Sequence, residues 1–229
     1  MKKVAVISGD IVSSTSLVVE DRTMLEEKLK DLLKILDEKW GVYGRLVKGD
    51  YLECVCPVPG DALRVAMLVK SFVKSFDPQQ ADNREDNNRI NLFKTHGIRL
   101  AIAIGELSRF DREKGIIDGE AVYLAGRLIN QSTSSHGKER VVIKHTLFFI
   151  SHDEKLDEQM NPVMGLLDVL MGKATARQSE VLYWKLLGHT ESEIAQQLQI
   201  SQSVVNQHST SVGWNSIERT VLYFNKIIK

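Results

Sequence analysis

The chain has 229 residues, of which 43% are hydrophobic and 26% are charged, and its formal net charge is zero. These values are typical of globular proteins, and no apolar run approaches the roughly 18 to 20 residues of a membrane span. The length suits two domains. The apolar run that begins at Val4 stops at Gly9-Asp10, too early for a signal peptide. We therefore expect a cytoplasmic protein without membrane insertion.

The first 150 residues predict an α+β domain. In chain order, strands are expected at 4–8, 42–48, 51–58, 98–104 and 140–143, and helices at 21–40, 61–76 and 120–130. The helix at 61–76 has an apolar face to which Lys70 is assigned by its helical spacing. A mobile loop is expected at 77–88 and a polar loop at 106–119. The order βαββαβ indicates a ferredoxin-like sheet with its helices on one face.

A linker helix is expected between residues 151 and 172. Asn161-Pro162 is typical of a helix start, with Asn as the N-cap and Pro in the first helical position. An apolar stretch at 163–171 follows it. The predicted domains are therefore 1–150, a linker at 151–172 and a final domain at 173–229.

The final domain predicts a helix-turn-helix. A first helix is expected at 175–187. Thr190 and Glu193 then have the spacing of a capping box, in which each side chain satisfies a free backbone amide of the next helix. Ser201 follows a short turn and can cap a further helix at 202–210.

These elements resemble the helix-turn-helix of LuxR-type regulators and the promoter-binding region of sigma factors. The matching runs are Arg177-Gln178-Ser179-Glu180-Val181-Leu182, Glu193-Ile194-Ala195 and Ile200-Ser201. Gln199 stands where such motifs often carry a glycine in the left-handed conformation. The resemblance implies a bacterial DNA-binding protein that regulates transcription.

In such a motif the second helix enters the major groove, where Gln and Asn side chains can bond N6 and N7 of adenine. The expected base-reading residues are the outward-facing Gln202, Ser203, Asn206, Gln207 and Thr210. Phosphate contacts are expected from Arg177 and Lys185. The alternative is a three-helix module that binds protein as an adaptor.

Three segments of the first domain resemble the class III nucleotide cyclases. They are Ser8-Gly9-Asp10-Ile11, Lys48-Gly49-Asp50-Tyr51 and Gly119-Glu120-Ala121-Val122-Tyr123-Leu124-Ala125-Gly126-Arg127. The resemblance implies a cyclase-like sheet in which Asp10 and Asp50 hold Mg²⁺ and Arg127 contacts a nucleotide. Tyr123 stands where that family has an asparagine. No catalytic residue is assigned. The alternative function of this domain is a nucleotide- or phosphate-binding switch, or a degenerate nucleotidyl cyclase that uses Asp10 and Asp50.

Both halves together resemble the SatD-like bacterial proteins over nearly the whole chain. The matching runs are the start at Ser8-Gly9-Asp10-Ile11, the strand end Ala103-Ile104-Gly105-Glu106, and Ile200-Ser201-Gln202-Ser203-Val204-Val205-Asn206-Gln207-His208 with Gly213-Trp214. This resemblance implies a ligand-sensing or dimerisation domain followed by a DNA-binding domain. The expected partners are double-stranded DNA and a second copy of the chain, with a small nucleotide as a further ligand.

Overall fold

The structure is a computed structural model, and it describes residues 3–79, 84–133 and 143–228. The strands are β1 (Val4–Ile11), β2 (Tyr43–Val47), β3 (Tyr51–Cys56), β4 (Ile98–Gly105), β5 (Arg109–Asp111), β6 (Ile116–Asp118) and β7 (Leu147–Ile150). The helices are α1 (Val19–Trp40), α2 (Ala62–Ser75), α3 (Arg84–His96), α4 (Glu120–Thr133), α5 (Glu154–Lys173), α6 (Ala176–Leu186), α7 (Glu191–Leu198), α8 (Gln202–Ser211) and α9 (Trp214–Ile227). No described helix is long and apolar enough to cross a membrane.

The main sheet has the strand order β2-β3-β1-β4-β7. β1 is antiparallel to β3 and β4, so that Ser8 lies opposite Glu53 on one side and Ala101 on the other. β7 extends the sheet and is parallel to β4. The elements β1-α1-β2-β3-α2-β4 therefore form the ferredoxin-like unit that the sequence predicts. The α+β class, followed by an all-helical segment, is confirmed.

Helices cover both faces of this sheet, so the expectation of helices on one face was wrong. Ile7 belongs to the large core that includes residues of α1 and α2. Its neighbour Val6 points to the opposite face and packs with Ala121 and Ala125 of α4. α4 belongs to the crossover between the parallel strands β4 and β7. Its alanines let it approach the sheet closely, which covers the second face.

Several local predictions were wrong because they were made from short polar windows. α3 takes up residues 84–88 of the region 77–88 assigned to a mobile loop and continues to His96, because Ile90 and Phe93 pack into the core and are almost completely buried. Residues 80–83 of that region lie outside the described residues. The polar loop at 106–119 contains the hairpin of β5 and β6. β7 was not predicted. The strand predicted at 140–143 lies outside the described residues except for Ile143, which is not in a strand.

α5 begins eight residues earlier than predicted, so Asn161 is not its N-cap. Asp153 caps the helix, and its Oδ1 accepts hydrogen bonds from the amides of Lys155 at 3.0 Å and Leu156 at 3.2 Å. Pro162 lies inside the helix. Asn161 instead accepts a hydrogen bond from the Phe149 amide at 3.3 Å, which connects α5 to β7.

Two buried lysines of α2 hold the end of α3. Lys74 Nζ donates to the carbonyl oxygens of Lys94 at 2.8 Å and Thr95 at 2.5 Å, and Lys70 Nζ donates to that of His96 at 3.2 Å. These carbonyls belong to the last turn of α3, where free acceptors carry partial negative charge. Burial lowers the pKa of Lys74 from 10.5 to about 8. The lysines therefore act as internal caps.

The helix-turn-helix segment shares a core with the sheet domain. Leu182 and Leu186 of α6 and Phe224 of α9 are buried in the same cluster as residues of α1 and α2. The rings of Phe224 and Phe149 pack edge to face, with centroids 5.8 Å apart. Arg64 of α2 also donates to the carbonyl oxygen of Leu186 at 3.1 Å. These contacts fix α6 and α9 against the sheet domain.

Candidate nucleic-acid interface

Side-chain caps define the starts of the three helices that build the interface. Thr175 and Gln178 form a capping box at α6, and Thr190 and Glu193 form another at α7. The Ser201 hydroxyl accepts a hydrogen bond from the Val204 amide at 3.3 Å at the start of α8. The helix starts predicted at 190 and 201 are therefore confirmed.

The turn between α7 and α8 has the left-handed conformation that the motif requires. Gln199 has φ 53° and ψ 43°, and its amide closes the end of α7. A residue with a Cβ in this region is strained by about 1 kcal/mol relative to glycine. Gln199 therefore replaces the usual glycine of the motif, but the backbone keeps the left-handed conformation that the motif requires.

The three helices pack around a small core of their own. Val181 of α6, Ile194 of α7 and Val205 of α8 are completely or almost completely buried and contact one another. Ala195 packs against this cluster, where its small side chain permits a close crossing of the helices. Val205 and Ser209, one helical turn apart, are buried on the inner side of α8, while Gln202, Asn206 and Thr210 are exposed on its outer side.

All five predicted base-reading residues lie on α8 and are exposed. They are Gln202, Ser203, Asn206, Gln207 and Thr210. The Asn206 Nδ2 lies 3.5 Å from a carboxylate oxygen of Glu191 in α7. The exposed face is polar and carries no formal charge of its own. Such a face can donate hydrogen bonds to base edges and accept them in return.

Both predicted phosphate-binding residues are held in ion pairs. Arg177 Nη1 lies 2.5 Å from the Glu180 carboxylate, and its Nη2 donates to the carbonyl oxygen of Leu198 at 3.2 Å. Lys185 Nζ lies 3.1 Å from Glu191 and 5.6 Å from the centre of the Trp214 ring. A phosphate would have to compete with these carboxylates. The sequence does not reveal Glu191 as the partner of Lys185, because the spacing between the two residues follows no helical repeat.

The residues of the second predicted site lie in different surroundings. Asp10 is the next-to-last residue of β1, on the face of Val6, and Arg99 donates two hydrogen bonds to its carboxylate, at 3.0 and 2.6 Å. Asp50 accepts a hydrogen bond from Ser14 at 3.0 Å and lines a cavity of about 260 Å³ beside α1. Arg127 is exposed on α4. No hydrogen bond or ion pair joins any two of these three residues in the described chain.

This arrangement does not fit Mg²⁺. A hard cation needs open carboxylate oxygens, and both oxygens of Asp10 accept hydrogen bonds from a guanidinium group. Across residues 3–79, 84–133 and 143–228, no three His, Cys, Asp or Glu side chains come together as metal ligands. Nucleotide binding by Asp10, Asp50 and Arg127 stays a prediction. Arg99 was missed because only the antiparallel register places it opposite Asp10.

Residues 174–213 match the family model described as bacterial regulatory proteins of the LuxR family. The match begins just before the cap of α6 and ends at the start of α9, so it covers α6, α7 and α8 completely. This is the segment in which the sequence resemblance was found. The carboxy-terminal segment is therefore a LuxR-type helix-turn-helix. No curated protein matches the chain.

Several solved structures of nucleotide cyclases resemble part of the chain. A bacterial light-regulated adenylyl cyclase is 15% identical over 64% of this chain and 42% of its own, with a TM-score of 0.42. A dimeric guanylyl cyclase domain from the fungus Blastocladiella emersonii is 20% identical over 57% of this chain and 74% of its own, with a TM-score of 0.42. A Trypanosoma brucei adenylate cyclase in its monomeric state is 17% identical over 56% and 67%, with a TM-score of 0.39. The chain thus spans less than half of the light-regulated enzyme. Similarities this weak assign no activity.

Proposed function

We propose that this protein binds double-stranded DNA through α8 and regulates transcription. The observation that supports the proposal is the neutral polar face of α8, which α6 and α7 hold outward within the segment that matches the LuxR family. The second helix of such a unit lies in the major groove, and its outward residues reach base edges. Gln202, Asn206 and Gln207 have the amide groups that read adenine.

The proposal includes a homodimer. Ion pairs occupy Arg177 and Lys185, so one copy of the interface can neutralise few phosphates and should bind weakly at physiological salt. Two copies joined through their sheet domains would raise the effective concentration of the second interface and strengthen binding by roughly 10²- to 10⁴-fold. A two-fold dimer would contact an inverted repeat. A cytoplasmic location, a ligand-sensing sheet domain and membership of the SatD-like proteins are further parts of the same proposal.

The test is selection of bound duplexes from a random pool, followed by fluorescence anisotropy of the enriched sequence at several salt concentrations. We expect an enriched inverted repeat whose affinity falls as salt rises. Enrichment of a single half-site would contradict the dimer and leave the DNA function in place. A chain that enriches no sequence and shows no salt-dependent DNA binding would contradict the proposed function and favour the protein-binding adaptor.

A further inference from the structure

A cavity lies where the sheet domain meets the first helix of the helix-turn-helix. Its volume is about 310 Å³. It is lined by Leu25, Lys28, Asp31, Leu32 and Ile35 of α1, by Phe72, Ser75 and the adjoining Phe76 of α2, and by Glu180, Tyr183 and Trp184 of α6. Ligand sites are typically concave, mostly apolar and located between domains, and this size is at the lower end of their range.

Aromatic rings form much of the wall. Phe72 and Tyr183 lie with their ring centroids 5.3 Å apart, and Tyr183 and Trp184 with theirs 5.2 Å apart. Tyr183 is 6% exposed, and its hydroxyl makes no hydrogen bond to any residue of the described chain. Burial raises the pKa of Tyr183, so the hydroxyl stays protonated and is an unused donor. The lining therefore combines aromatic rings with a tyrosine hydroxyl that has no hydrogen-bond partner among the described residues.

The charges at the rim leave one cation uncompensated. Asp31 is paired with Lys34 at 2.9 Å, and Glu180 is paired with Arg177 at 2.5 Å. Lys28 Nζ lies 5.7 Å from the centre of the Phe76 ring and forms no ion pair with a described residue. Asp31 and Glu180 also line the cavity, but each carboxylate is already paired with a cation, so the Lys28 ammonium is the rim charge that has no counter-charge among the described residues.

We infer that this cavity binds a small aromatic carboxylate. The aromatic body lies among Phe72, Phe76 and Trp184, where offset and edge-to-face contacts are favourable. The carboxylate pairs with Lys28 at the rim, and the Tyr183 hydroxyl donates to an oxygen of the ligand. A neutral apolar ligand would leave the Lys28 ammonium without a counter-charge. A cationic ligand would be repelled by that ammonium.

The cavity is placed to affect the DNA interface. α6 forms one wall with Tyr183 and Trp184, and Arg177 of the same helix contacts the end of α7. A ligand that binds between α1 and α6 stabilises the arrangement of these helices to which it binds best, and so shifts the population of interface conformations. This regulatory step rests on the proposed DNA-binding function. The binding of the carboxylate does not.

The test is calorimetric titration of the full chain, without DNA, with 2-naphthoate and with its neutral analogue 2-naphthamide. We expect saturable binding of 2-naphthoate that is about tenfold tighter than that of the amide, because a charge-assisted contact is lost in the amide. Lys28→Gln should remove this difference and leave the affinity for the amide unchanged. The matched control Lys30→Gln changes the same charge on α1, where Lys30 pairs with Glu26 and does not line the cavity.

Equal affinities for the two compounds, unchanged naphthoate binding in Lys28→Gln, or no saturable binding would each overturn the inference. Tyr183→Phe gives a second measurement, since it should weaken both compounds by removing the same hydrogen bond. DNA binding is measured separately by anisotropy. Naphthoate binding without DNA binding would contradict the proposed function alone, and DNA binding without naphthoate binding would contradict the cavity alone.

Discussion

Lys70 Nζ of α2 lies 3.3 Å from a carboxylate oxygen of Asp168 in α5, and the two side chains are 1% and 8% exposed. Thr146 completes the cluster, because its hydroxyl accepts from Lys70 at 2.6 Å and donates to Asp168. The Thr146 amide also donates to Asp168 at 2.6 Å. The ion pair therefore connects α5, the helix that precedes the helix-turn-helix, to α2 of the sheet domain.

We predict that Asp168→Asn lowers the free energy of unfolding by about 3 to 5 kcal/mol, because it leaves the buried ammonium of Lys70 without its counter-charge. The double variant Lys70→Met with Asp168→Leu should lose less than Asp168→Asn, since it removes both charges. Urea unfolding followed by circular dichroism measures both. Glu158→Gln, at an exposed site of α5, is the control and should change stability by less than about 0.5 kcal/mol. A small loss in Asp168→Asn would show that the pair is not a structural requirement.

Lys74 predicts a pH-dependent stability. Its pKa is lowered to about 8 in the folded chain by burial, against 10.5 for the ordinary group. Between these two values the unfolded chain binds the extra proton, so stability should rise with pH through this window. The destabilising contribution of the buried Lys74 ammonium is fully present below pH 8. It should diminish by roughly 1 to 3 kcal/mol by pH 10.5.

The measurement is the difference in unfolding free energy between the wild type and Lys74→Met at pH 7, 8, 9 and 10. Subtraction removes the contributions of titrating groups that do not interact with Lys74, including the tyrosines whose pKa values burial raises. The unfolding free energy of the wild type should increase relative to that of the variant as pH rises. A constant difference would contradict the lowered pKa of Lys74.

Gln199→Gly should stabilise the protein by about 0.5 to 1 kcal/mol, because glycine adopts the φ of 53° without the strain of a side chain. Gln196→Gly is the matched control, since it places glycine inside α7 and should destabilise the chain by a similar amount. Thermal unfolding of both variants checks the prediction. If both changes destabilise the chain, the strain assigned to Gln199 is absent.

If α8 reads bases, substitutions on its exposed face should weaken binding to specific DNA more than binding to random DNA. Asn206→Ala or Gln207→Ala should weaken binding to the selected DNA sequence by about 1 to 3 kcal/mol and leave binding to random duplex nearly unchanged. Gln197→Ala is the control, because Gln197 is also exposed and lies on α7 rather than on α8. Competition anisotropy with specific and random duplexes separates the two effects. An equal loss on both duplexes would contradict base readout.

Glu191→Gln should strengthen binding to every duplex. The change releases Lys185 from the ion pair at 3.1 Å and removes a carboxylate that lies near Asn206. One more cation then becomes available to phosphate, so the salt dependence should become steeper by about one unit of slope. The slope of log affinity against log salt concentration measures this directly. An unchanged slope would show that Lys185 does not reach the DNA backbone.

The sequence by itself determined the elements whose causes are local. Thr190 with Glu193, and Ser201 with Val204, bond over three residues, so the starts of α7 and α8 follow from residue types at fixed spacing. The apolar runs of β1 to β4 and the turn residues between them likewise predict the ferredoxin-like order. A hairpin and two helical crossovers leave few ways to pair these four strands. The exposed face of α8 then followed from helical periodicity.

The tertiary structure decided the partners of charged groups. Helical spacing assigned Lys70 to an apolar face, and its place in the core is explained by Asp168, which lies 98 positions away along the chain. Arg99 reaches Asp10 through strand register, and Glu191 reaches Lys185 around a turn. A buried or part-buried charge needs a counter-charge or hydrogen-bond acceptors beside it, and those neighbours are fixed by packing between elements rather than by spacing within one. Such neighbours decide whether Arg177 and Lys185 can bind phosphate and whether Asp10 can bind a metal ion. The sequence around each residue does not show which neighbours it will have.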